Sequence, residues 1–191
     1  MIEQKYQQFE HFLESLQEQV APCADDPEKQ MQITADLLAK LLASRPPLDE
    51  RYMVGNPDHY ARHKVYVDPQ DRYCVVAMVW NPGQQTAIHD HDGVWCVEGV
   101  YQGCMQITRY NLKARSGHTY RFEQDEVFKA GCGEVGHLIP PSEYHKMENI
   151  FDTPAVSIHV YGQELKSCSR YLPAEDGVHH ISQRVELRYD P

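Results

Sequence analysis

No apolar run in this chain of 191 residues approaches the roughly 20 that a membrane helix needs, so no membrane partner is expected. The opening stretch, Met1-Ile2-Glu3-Gln4-Lys5, lacks the pattern of a secretory leader, and a cytoplasmic protein is the expectation. Basic residues are scarce. Eighteen Lys and Arg stand against 28 Asp and Glu, a net charge of −10. Nucleic-acid binders carry a basic footprint, so nucleic acid is not expected as a partner. The six cysteines (Cys23, Cys74, Cys96, Cys104, Cys132, Cys168) form no CxxC pair. In a reducing compartment they are expected as free thiols rather than a disulfide framework. Internal repeats and low-complexity tracts are missing too. That leaves a single domain over residues 1–191, long enough for a real core.

What is present begins as helix. Ile2, Tyr6, Phe9, Leu13, Leu16 and Val20 recur at spacings of three and four, which predicts an amphipathic helix over residues 4–20, ended by Pro22. Asp25-Asp26-Pro27-Glu28 reads as the N-cap and first turn of a second helix, with Met31, Leu37, Leu38, Leu41 and Leu42 on its buried side. Arg45-Pro46-Pro47 stops it. Residues 1–50 are thus expected to form a helical cap without chemistry of its own. From about Tyr60 the pattern turns to short strands: 64–67, 73–80, 95–100, 105–111, 118–122, 136–139, 155–161 and 183–189. Gly, Pro, Asp and Asn punctuate them. Such spacing predicts an all-β sandwich or barrel over residues 60–190.

Chemistry concentrates in Pro82-Gly83-Gln84-Gln85-Thr86-Ala87-Ile88-His89-Asp90-His91. On a strand, residues two apart point the same way, so His89 and His91 can hold one metal ion together. His145, in Glu143-Tyr144-His145-Lys146-Met147-Glu148-Asn149, is the best candidate for a third ligand. Imidazole suits iron, zinc, copper and nickel, so the spacing alone leaves the metal open.

Gly83 stands six before His89, Gly103 twelve after His91, and His145 four before Asn149. These intervals resemble the two signatures of the cupin superfamily, with Ser142 where a glycine usually precedes the second histidine. The resemblance implies a double-stranded β-helix (jelly-roll) barrel with the metal inside. The usual glutamate ligand, five after the second histidine, is replaced by Cys96. In this, and in Tyr60-Ala61-Arg62 and Ser157-Ile158-His159-Val160-Tyr161, the chain resembles the cysteine dioxygenase (thiol dioxygenase) family.

That resemblance implies one iron(II) per chain, bound by His89, His91 and His145. It also implies a small thiol substrate and O₂, and a sulfinic acid product. Arg62, beside Tyr60, is expected to grip the substrate carboxylate, since a guanidinium offers two parallel donors. Arg170 matches the arginine that members acting on 3-mercaptopropionate use instead. With both arginines present, L-cysteine is the first-choice substrate, and 3-mercaptopropionate and mercaptosuccinate are the alternatives. Ser157, His159 and Tyr161 share a strand face and are expected to form a relay in which Ser157 orients His159 and His159 orients Tyr161. Cys96 is expected to meet Tyr161, where animal members carry a thioether. Strict alternation from His91 would turn Cys96 outward, so the Asp92-Gly93 pair must absorb one residue.

Glu98 has several roles open to it: meeting a substrate ammonium, pairing an arginine, ligating metal, or rotating out at a bulge. His59, His63, His118, His137, His179 and His180 are read as surface or structural. A monomer or weak homo-oligomer is the expected state. Two rival readings stand beside the enzyme: a non-catalytic metal-binding cupin sensor, and another cupin enzyme, such as an isomerase, that uses Glu98 as a fourth ligand.

Overall fold

A computed structural model gives the fold of residues 7–141 and 143–191. The helical residues expected before Gln7, and the turn at Ser142, lie outside them. Two helices lead, α1 (Gln7–Gln19) and α2 (Pro27–Ala43). Phe9, Phe12 and Leu16 form the buried stripe of α1. A short 3-10 turn over Ala21–Cys23, with Pro22 in it, follows the helix. Asp26 caps α2. Its carboxylate accepts the Lys29 N–H at 3.1 Å, and Pro27 sits where a helix has no use for an N–H.

Eleven strands follow among the described residues: β1 (Ala61–Val67), β2 (Cys74–Trp80), β3 (Ile88–His89), β4 (Cys96–Gln102), β5 (Cys104–Ser116), β6 (Thr119–Gly131), β7 (Val135–Leu138), β8 (His145–Glu148), β9 (Ala155–Tyr161), β10 (Ser167–Pro173) and β11 (His180–Glu186). Five make one sheet in the order β1-β2-β9-β4-β7, and six close a ring in the order β10-β11-β6-β5-β8-β3. All the strand pairs are antiparallel.

The inner strands of the five-stranded sheet, β2, β9 and β4, are buried on both faces. Val75, Ala77, Val79, Val97, Val156, Ile158 and Val160 pack against α1 and α2, while Cys74, Val76, Met78, Trp80, Cys96, Val100, Ala155 and Tyr161 face the barrel interior. This explains why β2 and β9 read as near-continuous apolar runs: neither face meets water. The long hairpin β5–β6 differs. Sequence periodicity predicts strands of seven and five residues there, but each runs to 13. Its outer half, from Asn111 to Ser116, is exposed, so no buried face imposes an alternation that a sequence reading could detect. The short strands β3 and β8 and the polar β10 likewise carry no apolar run, and pairing to neighbours defines them. No helix among the described residues is long and apolar enough to cross a membrane.

The helices rest on the sheet through Gly99. A Cβ there would lie 2.5 Å from Leu42 Cδ1 and 3.2 Å from Leu38 Cδ2. Gly99→Val is therefore expected to lift α2 and cost about 1–3 kcal/mol, the range for overpacking a filled core. A urea midpoint that does not move would show that α2 does not bear on this position.

Candidate metal centre

β3 and β8 pair through a single register position, His89 opposite His145. The pairing places their Nε2 atoms 3.1 Å apart. His91 follows two residues after His89 on the same side. Ring centroids are 5.1 Å apart for His89 and His91, 4.5 Å for His89 and His145, and 5.0 Å for His91 and His145. One nitrogen from each ring lies within 4.8 Å of the other two. The sequence-predicted trio is therefore brought together, from residues 54 positions apart at closest approach of β8 to His91.

An oxygen stands behind each ring, at hydrogen-bond distance for His89 and farther off for His91 and His145. His89 Nδ1 lies 3.2 Å from the Ala87 carbonyl, which assigns that nitrogen the proton and leaves Nε2 a lone pair. Glu143 accepts the backbone N–H of His91 at 2.9 Å and stands 3.7 Å from its Nδ1. Glu98 stands 3.7 Å from His145 Nδ1. Burial lowers the pKa of all three imidazoles below the ordinary histidine range, so they are neutral donors at pH 7. The residues fit a transition-metal dication: neutral nitrogens with no carboxylate among the three, set in a low-dielectric wall, suit imidazole-loving metals. Burial also pushes the Glu143 carboxyl up to about 6 and that of Glu98 up to about 7.

A cavity of about 580 Å³ opens onto the trio. Arg62, Tyr60, Tyr161 and Arg170 line it with the three imidazoles. Arg62 is 5% exposed. Its Nη1 donates to the Arg188 carbonyl at 3.3 Å, its guanidinium carbon lies 5.2 Å from the Tyr189 ring centre, and its Nη2 is buried without a partner. Its backbone is clamped by Asp190, which accepts the Arg62 N–H at 2.9 Å and donates its own to the Arg62 carbonyl at 2.8 Å. Tyr60 stacks on Trp80 at 4.5 Å. Arg170, the β10 partner of His89, is exposed at the cavity mouth, with its Nε donating to Gln183 at 3.0 Å.

The expected relay forms in its first link only. Ser157 Oγ lies 2.8 Å from His159 Nε2 and accepts the Trp80 indole N–H at 2.9 Å. His159 does not reach on to Tyr161. The rings stack at 6.0 Å, and His159 Nδ1 faces Glu98 at 3.5 Å instead. The correction has a steric origin. Residues two apart on a strand present parallel rings side by side rather than end to end. Burial takes the His159 pKa down to about 3, so this ring too is neutral.

Cys96 turns inward, directly opposite Tyr161. The register change falls where the sequence puts it: Asp92 and Gly93 have φ of 58° and 78°. Burial raises the Cys96 thiol and the Tyr161 hydroxyl far above their ordinary values, so each keeps its proton. Glu143 is a participant that sequence reading passed over. Its spacing of two from His145 was the available signal. The C-terminal residues around Arg62, read in sequence as part of a strand, carried no signal of that contact.

A two-sheet β barrel that gathers three neutral imidazoles inside it, from a His-x-His pair and a distant strand, defines a cupin. The sequence model of the family described as cysteine dioxygenase type I matches residues 16–173, and the chain belongs to that family. Human cysteine dioxygenase type 1 is 25% identical over 122 residues, covering 62% of this chain and 60% of that protein. The zebrafish (Danio rerio) protein is 27% identical over 119 residues, covering 60% and 57%. The chain thus spans about 60% of the length of these curated relatives. Among solved structures, a conserved Klebsiella pneumoniae protein with a double-stranded β-helix domain aligns with TM-score 0.48 and 19% identity, over 61% of this chain and 88% of that one.

The geometry predicts one transition-metal dication per chain. His145→Ala should retain less than roughly a tenth of it, since two ligands hold metal poorly. Uptake should be full at pH 7, where the rings are neutral, and fall in acid as protons compete for the same nitrogens. Equilibrium dialysis at several pH values reads both effects, and full metal content in His145→Ala would reject the trio.

Proposed function

We propose that this chain is an iron(II)-dependent thiol dioxygenase acting on a small thiol carboxylic acid, L-cysteine first, by R–SH + O₂ → R–SO₂H. One observation carries the substrate class. Arg62 lines the cavity that the three imidazoles share, and its Nη2 is buried without a partner. A buried guanidinium edge without a partner is costly, and a carboxylate satisfies it with charge-assisted bonds. Membership of the cysteine dioxygenase type I family supports the reaction type.

Iron(II) held by His89, His91 and His145 would supply a Lewis acid for the thiol and redox chemistry for dioxygen. The chain's own residues do the rest. Arg62 fixes one end of the substrate while Tyr189 and the Arg188 carbonyl keep the guanidinium from swinging. Three neutral ligands add no negative charge, which leaves the centre receptive to a substrate thiolate. Tyr161, protonated because it is buried, offers a hydroxyl donor beside the His91 ring, 5.8 Å away between centroids. Met78, Trp80, Met147, Leu165 and Leu187 wall off water.

Arg170 favours a second reading. It lines the same cavity, next to His89. A thiol with a second carboxylate, such as mercaptosuccinate, would engage both arginines, and 3-mercaptopropionate would need Arg170 alone.

Oxygen uptake by iron-loaded protein across a thiol panel decides among these. Loss of a charge-assisted contact costs roughly 2–5 kcal/mol when the partner charge stays buried. Arg62→Ala should then cut kcat/KM for cysteine a few tens to a few thousand fold, with Arg170→Ala close to the parent. Greater damage from Arg170→Ala, with 3-mercaptopropionate preferred by the parent, would reject cysteine. The Cys96–Tyr161 pairing leads to a further expectation under this reading. A thioether between them removes one hydrogen from the thiol and one from the ring, with dioxygen as acceptor. Turnover should lower the intact mass by about two daltons and join the two peptides. Separate, unmodified peptides after extended turnover would reject the bond.

A further inference from the structure

We propose that Glu98 is the outer carboxylate of the metal centre, accepting the Nδ1–H of His145 with one oxygen and the Nδ1–H of His159 with the other. It is a positioning residue, and the proposal rests on the metal-ligand reading of His145.

Four observations converge on it. Glu98 is buried, and it projects inward from β4 directly opposite His159 of β9. Its Oε1 stands 3.7 Å from His145 Nδ1 and its Oε2 3.5 Å from His159 Nδ1. Glu98 Oε2, His145 Nδ1 and His159 Nδ1 are each buried without a hydrogen-bond partner. Buried polar groups are rarely left so, and these three are one another's nearest remedy: two N–H donors and one two-oxygen acceptor.

The direction of each bond follows from the neighbours. Trp80 Nε1 only donates, so Ser157 Oγ accepts from it and can give its own proton to His159 Nε2. That leaves the His159 proton on Nδ1, facing Glu98. His145 turns Nε2 toward His89 and Nδ1 toward Glu98. The two nitrogens of an imidazole diverge, so Glu98 stands behind the ring rather than in the ligand set. A carboxylate behind a ligand histidine fixes its tautomer and raises its basicity. Here the same carboxylate would also hold His159, tying the metal centre to the Trp80–Ser157–His159 chain.

The test uses the full chain. Zinc(II) serves as a diamagnetic probe, with ¹⁵N-histidine NMR on the wild type and on Glu98→Gln. In the zinc-loaded wild type, His145 and His159 should both carry protected Nδ1–H protons. Glu98→Gln offers one acceptor oxygen in place of two, so one of these protons should lose protection. Transfer of iron(II) or zinc(II) from Glu98→Gln and Glu98→Leu to a competing chelator should show 10–100-fold weaker binding, the usual effect of losing such a partner. Neither readout needs thiol or oxygen. Normal wild-type uptake with unchanged affinity and tautomers in the variants would overturn the proposal alone. A wild type that takes no metal would overturn the metal centre and this proposal together. Cys96, Glu98 and His159 also place ligand atoms within 4.8 Å of one another. Loss of a second metal equivalent in Glu98→Gln would make Glu98 a ligand of a second ion and sink the outer role. So would a changed cobalt(II) coordination number, which would make it a fourth ligand of the first.

Discussion

Everything in this molecule depends on the period of two in the strands β2, β9 and β4. Each is covered on both sides, so its odd and even positions meet different surroundings. Along β9, Val156, Ile158 and Val160 lie against the helices, and Ser157, His159 and Tyr161 look into the barrel. A slip of one residue would drive His159 into the helical layer and expose Ile158 to the cavity. The helices pin the register from outside: Gly99 admits Leu42, and the Trp95 indole donates to Gln30 of α2 at 3.1 Å. The helices therefore help determine which side chains the cavity receives.

The interior so defined is expensive in polar terms. Of the eight buried side-chain polar atoms without partners among the described residues, six belong to Arg62, His91, Glu98, His145, His159 and Tyr189. All six surround one cavity or the wall behind it. Scattered through a core, such atoms would signal poor packing. Gathered in one place, three of them, on Glu98, His145 and His159, face one another, and the Arg62 Nη2 is left for a group from outside the chain. A carboxylate that satisfies Arg62 stabilises the fold as it binds, because the unfolded chain offers no comparable site.

Much of this was legible in the order of residues. The His89-Asp90-His91 spacing marks a shared face, and the Asp26-Pro27 pair marks a helix start, because both are local properties. His145 was legible as a residue type, while its pairing with His89 belongs to tertiary structure. Glu98 stayed ambiguous because strand parity cannot be counted through two residues of positive φ, Asp92 and Gly93. The strand β10 escaped notice because Ser167-Cys168-Ser169-Arg170 has no apolar alternation. Asp190 lies 128 positions from Arg62, so nothing local could connect them. The sequence also suggested a strand running through Tyr189, but β11 ends at Glu186. The residues beyond it pass over Arg62 as an irregular segment, and that segment provides the Tyr189 ring and the Asp190 clamp.

The Asp92-Gly93 turn uncouples the facing of the chain before it from the facing of the chain after it. Val94 and Cys96 face the barrel, whereas Trp95 and Val97 face the helices. Which side each set takes is fixed by the pairing of β4 with β9, Cys96 opposite Tyr161, and not by the number of residues in the turn. A residue added to or taken from the turn would be absorbed there, with the indole still on Gln30 and the thiol still in the barrel. The turn is a clutch between two stretches of chain, free to change length while each keeps its own facing.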